Sequence, residues 1–118
     1  MDEHVGTEQE KIQLSMEQVQ KKLDFYKSIT ILKNNEHFKK LFIDEYLNDN
    51  ATRLVHLMSD FRMQKPEQQE DLKVQMIGVG QLAQYIRFIE QEGRMAETAL
   101  EEHRREMDIL EQEEAEAN

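Results

Sequence analysis

The 118-residue chain contains no cysteine and no tryptophan, and only one proline and four glycines. Without cysteine there are no disulfide staples, thiolate metal ligands or thiol nucleophiles. An all-β domain needs turn residues roughly every 8 to 12 positions, and five glycines and prolines in total cannot supply them. No run approaches the ~18 apolar residues of a membrane span. Basic residues are the minority, 15 against 25 acidic, for a net charge of −10. A surface that must neutralise duplex phosphates is therefore disfavoured, and neither nucleic acid nor membrane is an expected partner. The segment MDEHVGTEQE has neither the basic start nor the apolar stretch of a secretory signal. The expectation is a soluble protein kept in the cytoplasm or packed into an assembly there.

Leu, Ile, Val and Phe make up about a quarter of the residues, above the ~20% below which a charged chain usually stays disordered. With β structure excluded, the fold class expected is all-α: a three- or four-helix bundle with a long, projecting, coiled-coil-like C-terminal helix. Charge divides the chain unevenly. Residues 1–10 carry −4, residues 11–89 are close to neutral at +2, and residues 90–118 carry −8. The expected organisation is an acidic arm over 1–6, a helical core domain over 7–92 and an acidic projecting helix and tail over 93–118.

Thr7 and Glu10 match a capping box that opens a first helix, whose stripe is Ile12, Met16, Val19, Leu23 and Tyr26. The pattern blurs at 28–32, and Asn34-Asn35 offers a stop followed by a new N-cap. A second helix from Glu36 is expected to bury Phe38, Leu41, Phe42 and Tyr46. The "NDN" at 48–50 favours a break at which Asp49 or Asn50 caps a third helix bearing Leu54, Val55, Leu57, Met58 and Phe61, although a single kinked helix over 36–61 fits as well. "SDFRMQK" reads as a loop.

Pro66 suits the first position of a helix, with Glu67, Glu70 and Asp71 near the positive end of its dipole. From there a seven-residue repeat is long. Leu72, Val79, Ile86, Gly93, Leu100 and Met107 occupy one position, and Gln75, Leu82, Ile89, Ala96, His103 and Leu110 lie three residues later. Over 72–89 the additional Met76, Ile77, Ala83, Tyr85 and Phe88 widen the stripe, as expected of a helix inside a core. Beyond Gly93 it narrows to a coiled-coil seam, supported by Glu90–Arg94 and Glu101–Arg105 at the favourable spacing. The seam residues Ala96, Leu100, His103, Met107 and Leu110 are the expected partner interface.

No motif carries chemistry. Gly78-Val-Gly80 has no preceding strand and no third glycine, so close helix approach or a kink is the expected reason for it. The four histidines lack ligand spacing, the tail carboxylates form no calcium loop, and no serine lies in a nucleophile elbow. No metal, cofactor or catalytic residue is expected. His103 at the seam reads as a register-fixing polar residue, or more sharply as a pH-sensitive contact. Lys33, Lys39 and Lys40 with Phe38 and Phe42 read as a solvated rim around core aromatics, and most of the seven methionines as core filler.

The order "HFKKLFIDEYLNDNATRLVHLM", then "KPEQQEDLKVQMIGVGQLAQYIRFIEQEG", then a charged Ala/Glu end resembles small acidic helical proteins encoded among the structural genes of tailed bacteriophages. The resemblance covers roughly residues 36–116. It implies a virion or head-assembly role, in the host cytoplasm or the virion, with a capsid, portal or scaffold component as partner and a homo-oligomeric state. The alternative of another class is an acidic inhibitor that occupies the basic groove of a host polymerase or nuclease.

Overall fold

The computed structural model describes the backbone of residues 8–117 and the side chains of residues 15–117, and every regular element among them is helical. Helix α1 is Glu8–Asn34. The Thr7 and Glu10 capping box and the Ile12 side chain lie outside the described residues. Met16, Val19, Leu23 and Tyr26 are half-buried and Ile29 is buried, so the stripe runs on past the point where β-branched residues blur it. Asn35 ends α1 and starts the next helix, its Oδ1 accepting from the backbone N–H of His37 and Phe38 at 3.0 and 3.1 Å.

Helix α2 opens as Glu36–Phe38, widens into a π-helical segment Lys39–Asp49 and continues as an α-helix over Asn50–Ser59. The expected break at 48–50 does not occur. Asp49 and Asn50 both keep right-handed helical dihedrals, the Asp49 side chain caps nothing, and the Asn50 N–H reaches back five residues to the Glu45 carbonyl. The polar side chains at the join bond along the helix: Thr52 Oγ1 donates to Asn48 O at 3.0 Å, and Arg53 donates to Asn50 Oδ1 at 2.8 Å. The wider turn also changes which residues face inward. Phe38, Ile43, Tyr46 and Leu47 are half-buried, whereas Leu41 and Phe42, expected inside, stand exposed. Phe42 stacks on the half-buried Phe38 with ring centroids 5.2 Å apart, and Lys33, Lys39 and Lys40 are exposed.

The connection "SDFRMQK" is a short 3₁₀ turn, Phe61–Met63, held by side chains. Gln69 Nε2 donates to the carbonyls of Met58 and Met63, and Gln64 Nε2 to those of Met58 and Asp60. Met58 lies in the last turn of α2, where a helix leaves its carbonyls without intrahelical partners. Helix α3 then runs from Pro66 to Ala117, 52 residues without interruption. The heptad is visible in its burial. Leu72, Val79, Ile86 and Ala96 are buried, Leu82, Ile89, Leu100 and His103 are half-buried, and every described residue after His103 is exposed. Gln75, at a seam position, is exposed and donates to Asp71.

Contacts divide the chain into two units. Ser28–Phe88 forms one unit; the other combines the described residues up to Lys27 with those from Ile89 onward. In the first, Leu54 is fully buried against Leu72 and Val79, surrounded by Tyr46, Leu47, Ala51, Leu57, Met58, Met63 and Met76. Three methionines in this shell fill irregular gaps between α2 and α3. Leu54→Ala is expected to cost about 3–5 kcal/mol through lost transfer energy plus a cavity that a well-filled site cannot close. Phe61→Ala, at a ring left 86% exposed, should change stability by less than about 0.5 kcal/mol. Urea unfolding of the two variants side by side measures the contrast.

Candidate partner interface

The unit that joins the two ends of the chain is built on a close approach. A Cβ placed on Gly93 of α3 would overlap the Cβ, Cγ and Cδ2 of Tyr26 on α1, so only glycine lets this ring lie against the helix backbone. Lys22 Nζ, one turn before Tyr26, pairs with Glu92 Oε2 at 2.8 Å. Farther out, Ser15, Met16 and Val19 share a shallow depression with Ala99, Glu102, His103 and Glu106. As the numbers on α1 fall, those on α3 rise: the two segments pair antiparallel.

This pairing places the expected interface residues. Ala96 is buried and Leu100 and His103 are half-buried, with His103 lying beside Met16 and Val19. A helix of the same chain therefore lies on this stretch of the seam. Met107 and Leu110 remain 45% and 52% exposed. Gly93, expected to mark the end of the core, is instead the seat of Tyr26. From Arg104 to Ala117 every residue is exposed, and Arg105 donates to Glu101 at 2.9 Å as the spacing anticipated. The acidic end is a solvated surface.

A second apolar surface lies where a core face was expected. Ile77, Tyr85 and Phe88 do not pack inward; together with Val74 they are between 49% and 57% exposed. The sequence carries a signal for it. Residues 74–86, VQMIGVGQLAQYI, hold no charge in a chain that is one-third charged. A helix that lacks charge all round is ordinarily covered all round, and here only the Leu72, Val79 and Ile86 side is buried. Crowding does not explain Gly78 and Gly80: a Cβ at Gly78 would meet Tyr46 Oη at an ordinary 3.6 Å, and one at Gly80 would meet nothing within 4 Å.

One depression gathers residue types that also serve in hydrolases, namely His56, Ser59 and Asp60, with Phe61 and Arg62. Their bonds run elsewhere. Ser59 Oγ donates to the Val55 carbonyl at 3.5 Å, and both Asp60 oxygens are held by Arg62, Oδ1 by the backbone N–H and Nε and Oδ2 by a terminal nitrogen at 2.8 Å. Hydrogen bonding from Arg62 holds the Asp60 carboxyl down at about 2. Among the described residues there is no group of three or more His, Asp or Glu side chains arranged to hold a metal ion, and no helix long and apolar enough to cross a membrane.

Compared with known proteins, the chain matches no family model, and no curated protein or solved structure is similar to it.

Gly93→Ala should destabilise the protein by about 1–3 kcal/mol, overpacking outweighing the gain in helix propensity. Gly80→Ala, facing open space, should stabilise it by up to about 1 kcal/mol. Thermal unfolding of the pair at one protein concentration tests both signs. Asp60 has a folded-state pKa below its unfolded value, so its contribution is complete above about pH 4 and lost as pH falls towards 2. A carboxyl NMR titration should find the Asp60 midpoint near 2, and Asp60→Asn should remove that part of the acid sensitivity while leaving stability at pH 7 to report the lost ion pair alone.

Proposed function

We propose that the chain is a non-enzymatic structural protein of tailed-phage head morphogenesis, acting by helix–helix association and by docking on a capsid, portal or scaffold component. The phage setting rests on the resemblance of residues 36–116. The mode of action rests on one observation. Among the described residues six hydrophobic side chains are buried, whereas fifteen large ones are exposed, and Val74, Ile77, Tyr85 and Phe88 of these gather on one side of α3, the kind of patch that marks an interaction surface.

Docking falls to the end of α3. Met107 and Leu110 offer side chains to a partner, and the exposed Glu111, Glu113, Glu114 and Glu116 select a basic rim and repel an acidic one. The part of the seam at Ala96, Leu100 and His103 holds α1 and so supports this end from within. Charges at the rim act mainly on encounter rate and are screened over ~8 Å at physiological ionic strength.

Co-sedimentation with head particles from an infected lysate tests the reading. The full chain should travel with the particles, and deletion of residues 111–118 should slow its association in 50 mM salt and flatten the salt dependence. A chain that stays in the supernatant and instead binds one host polymerase or nuclease overturns the assembly role in favour of the inhibitor.

A further inference from the structure

We propose that the exposed face of α3 formed by Val74, Ile77, Gln81, Tyr85 and Phe88 binds the same face of a second copy of this chain, the two helices running antiparallel about a two-fold axis at Gln81. The proposal deepens the assembly reading by naming the surface of self-association, and it rests on that reading only for the expectation that copies meet.

The five residues lie at −7, −4, 0, +4 and +7 relative to Gln81. At about 100° per residue they fall within an arc of roughly 80°, on the side of α3 roughly opposite Leu72, Val79 and Ile86. The spacing reads the same in both directions. In a two-fold contact residue i meets j and j meets i, so an antiparallel pair centred on Gln81 sets Val74 against Phe88 and Ile77 against Tyr85, with Gln81 against its own counterpart. Each aliphatic side chain meets an aromatic one, and the volume is even along the contact. A parallel pair would set Val74 on Val74 and Phe88 on Phe88, loose at one end and crowded at the other, contrary to the dense packing of buried contacts. The two Gln81 amides each carry donors and acceptors and can bond to each other across the axis.

The area is sufficient. A fully covered Phe or Tyr buries about 150–250 Å². At 56% exposure Tyr85 and Phe88 therefore still offer roughly 100 Å² each, with somewhat less from Val74 and Ile77. Two copies together remove roughly 700 Å² of largely apolar surface. Stable interfaces bury about 1,200–2,000 Å² in total, somewhat more than half of it apolar, so these four side chains alone reach the lower end of the apolar share. Charge points to the same occupant. Residues 74–86 carry no charge, so the centre of the stripe meets a second copy of itself without like-charge repulsion and offers a charged partner nothing to hold.

The chain has no cysteine, so single-cysteine variants of the full-length protein report the contact directly. Gln81→Cys should form a disulfide-linked dimer under mild oxidation at micromolar protein, at least tenfold faster than Gln75→Cys on an exposed position outside the arc. Val74→Cys mixed with Phe88→Cys should give the mixed dimer in preference to either self-linked product. By light scattering the wild type should have twice the 14.1 kDa chain mass, and Ile77→Arg should reduce it to one chain mass with an unchanged helical circular dichroism signal. Equal linking rates at 81 and 75, or self-linking of Val74→Cys in place of the mixed product, overturns the proposal. So does an Ile77→Arg protein that keeps the wild-type mass. A wild type that is oligomeric but passes none of these tests leaves self-association through another surface. The assembly role itself fails only if the protein does not travel with particles.

Discussion

The contact of Tyr26 with Gly93 anchors the pairing of the described parts of α1 and α3 in the unit they share. Because the ring occupies the volume of a missing Cβ, α1 and α3 approach in this unit with Tyr26 seated on Gly93, an offset at which Lys22 reaches Glu92. The same offset brings Met16 and Val19 to His103 and its neighbours. One small residue thus decides which part of the heptad seam is satisfied within the chain. A larger residue at 93 would have to move a ring held at its Cβ and Cγ, atoms close to the α1 backbone that cannot swing aside.

The other unit depends on a different accommodation. Its core is narrow, Leu54 against Leu72 and Val79, with methionine filling much of the shell. The π-helical turns of α2 bring Tyr46 and Leu47 to that core, while Leu41 and Phe42 stay exposed. A turn that takes five residues instead of four moves the inward face along the sequence, and the residues displaced from it are left in water.

These two accommodations explain what could be read from the residues and what could not. Helix identity was legible throughout, because periodicity at 3.6 and 3.5 residues and the caps at Asn35 and Pro66 are local properties. The heptad of α3 was legible too, since Leu72, Val79, Ile86 and Ala96 are buried at the positions the repeat assigns. The partner of that heptad was not. A seam states that some helix covers it, and whether that helix lies in the same chain is a question of long-range pairing. The burial of Leu41 and Phe42 was misread because the expectation presumed an α-helical turn, while Asn48, Asp49 and Asn50 looked like a break and proved tolerable inside one. Ile77, Tyr85 and Phe88 were assigned to the core by their width around the helix. The more telling property was the absence of charge over 74–86, since a helix without charge on any side asks for cover on every side, more than this short chain provides.

The distribution of charge would keep the two proposed kinds of association apart. Along α3, an uncharged run over 74–86 is followed by a C-terminal stretch in which residues 90–118 carry −8. Apolar contact is indifferent to ionic strength to first order, whereas encounter through an acidic rim weakens as salt rises. A chain that carried both on one surface would have to desolvate its carboxylates to bury its aromatics, a burial that is costly unless each charge finds a partner. Separating them along one helix removes that conflict. In the proposed pair the stripe is covered while the acidic end remains hydrated; the carboxylates nearest the stripe, Glu70 and Glu92 one turn beyond its two ends, would face each other, and Glu92 is already paired with Lys22.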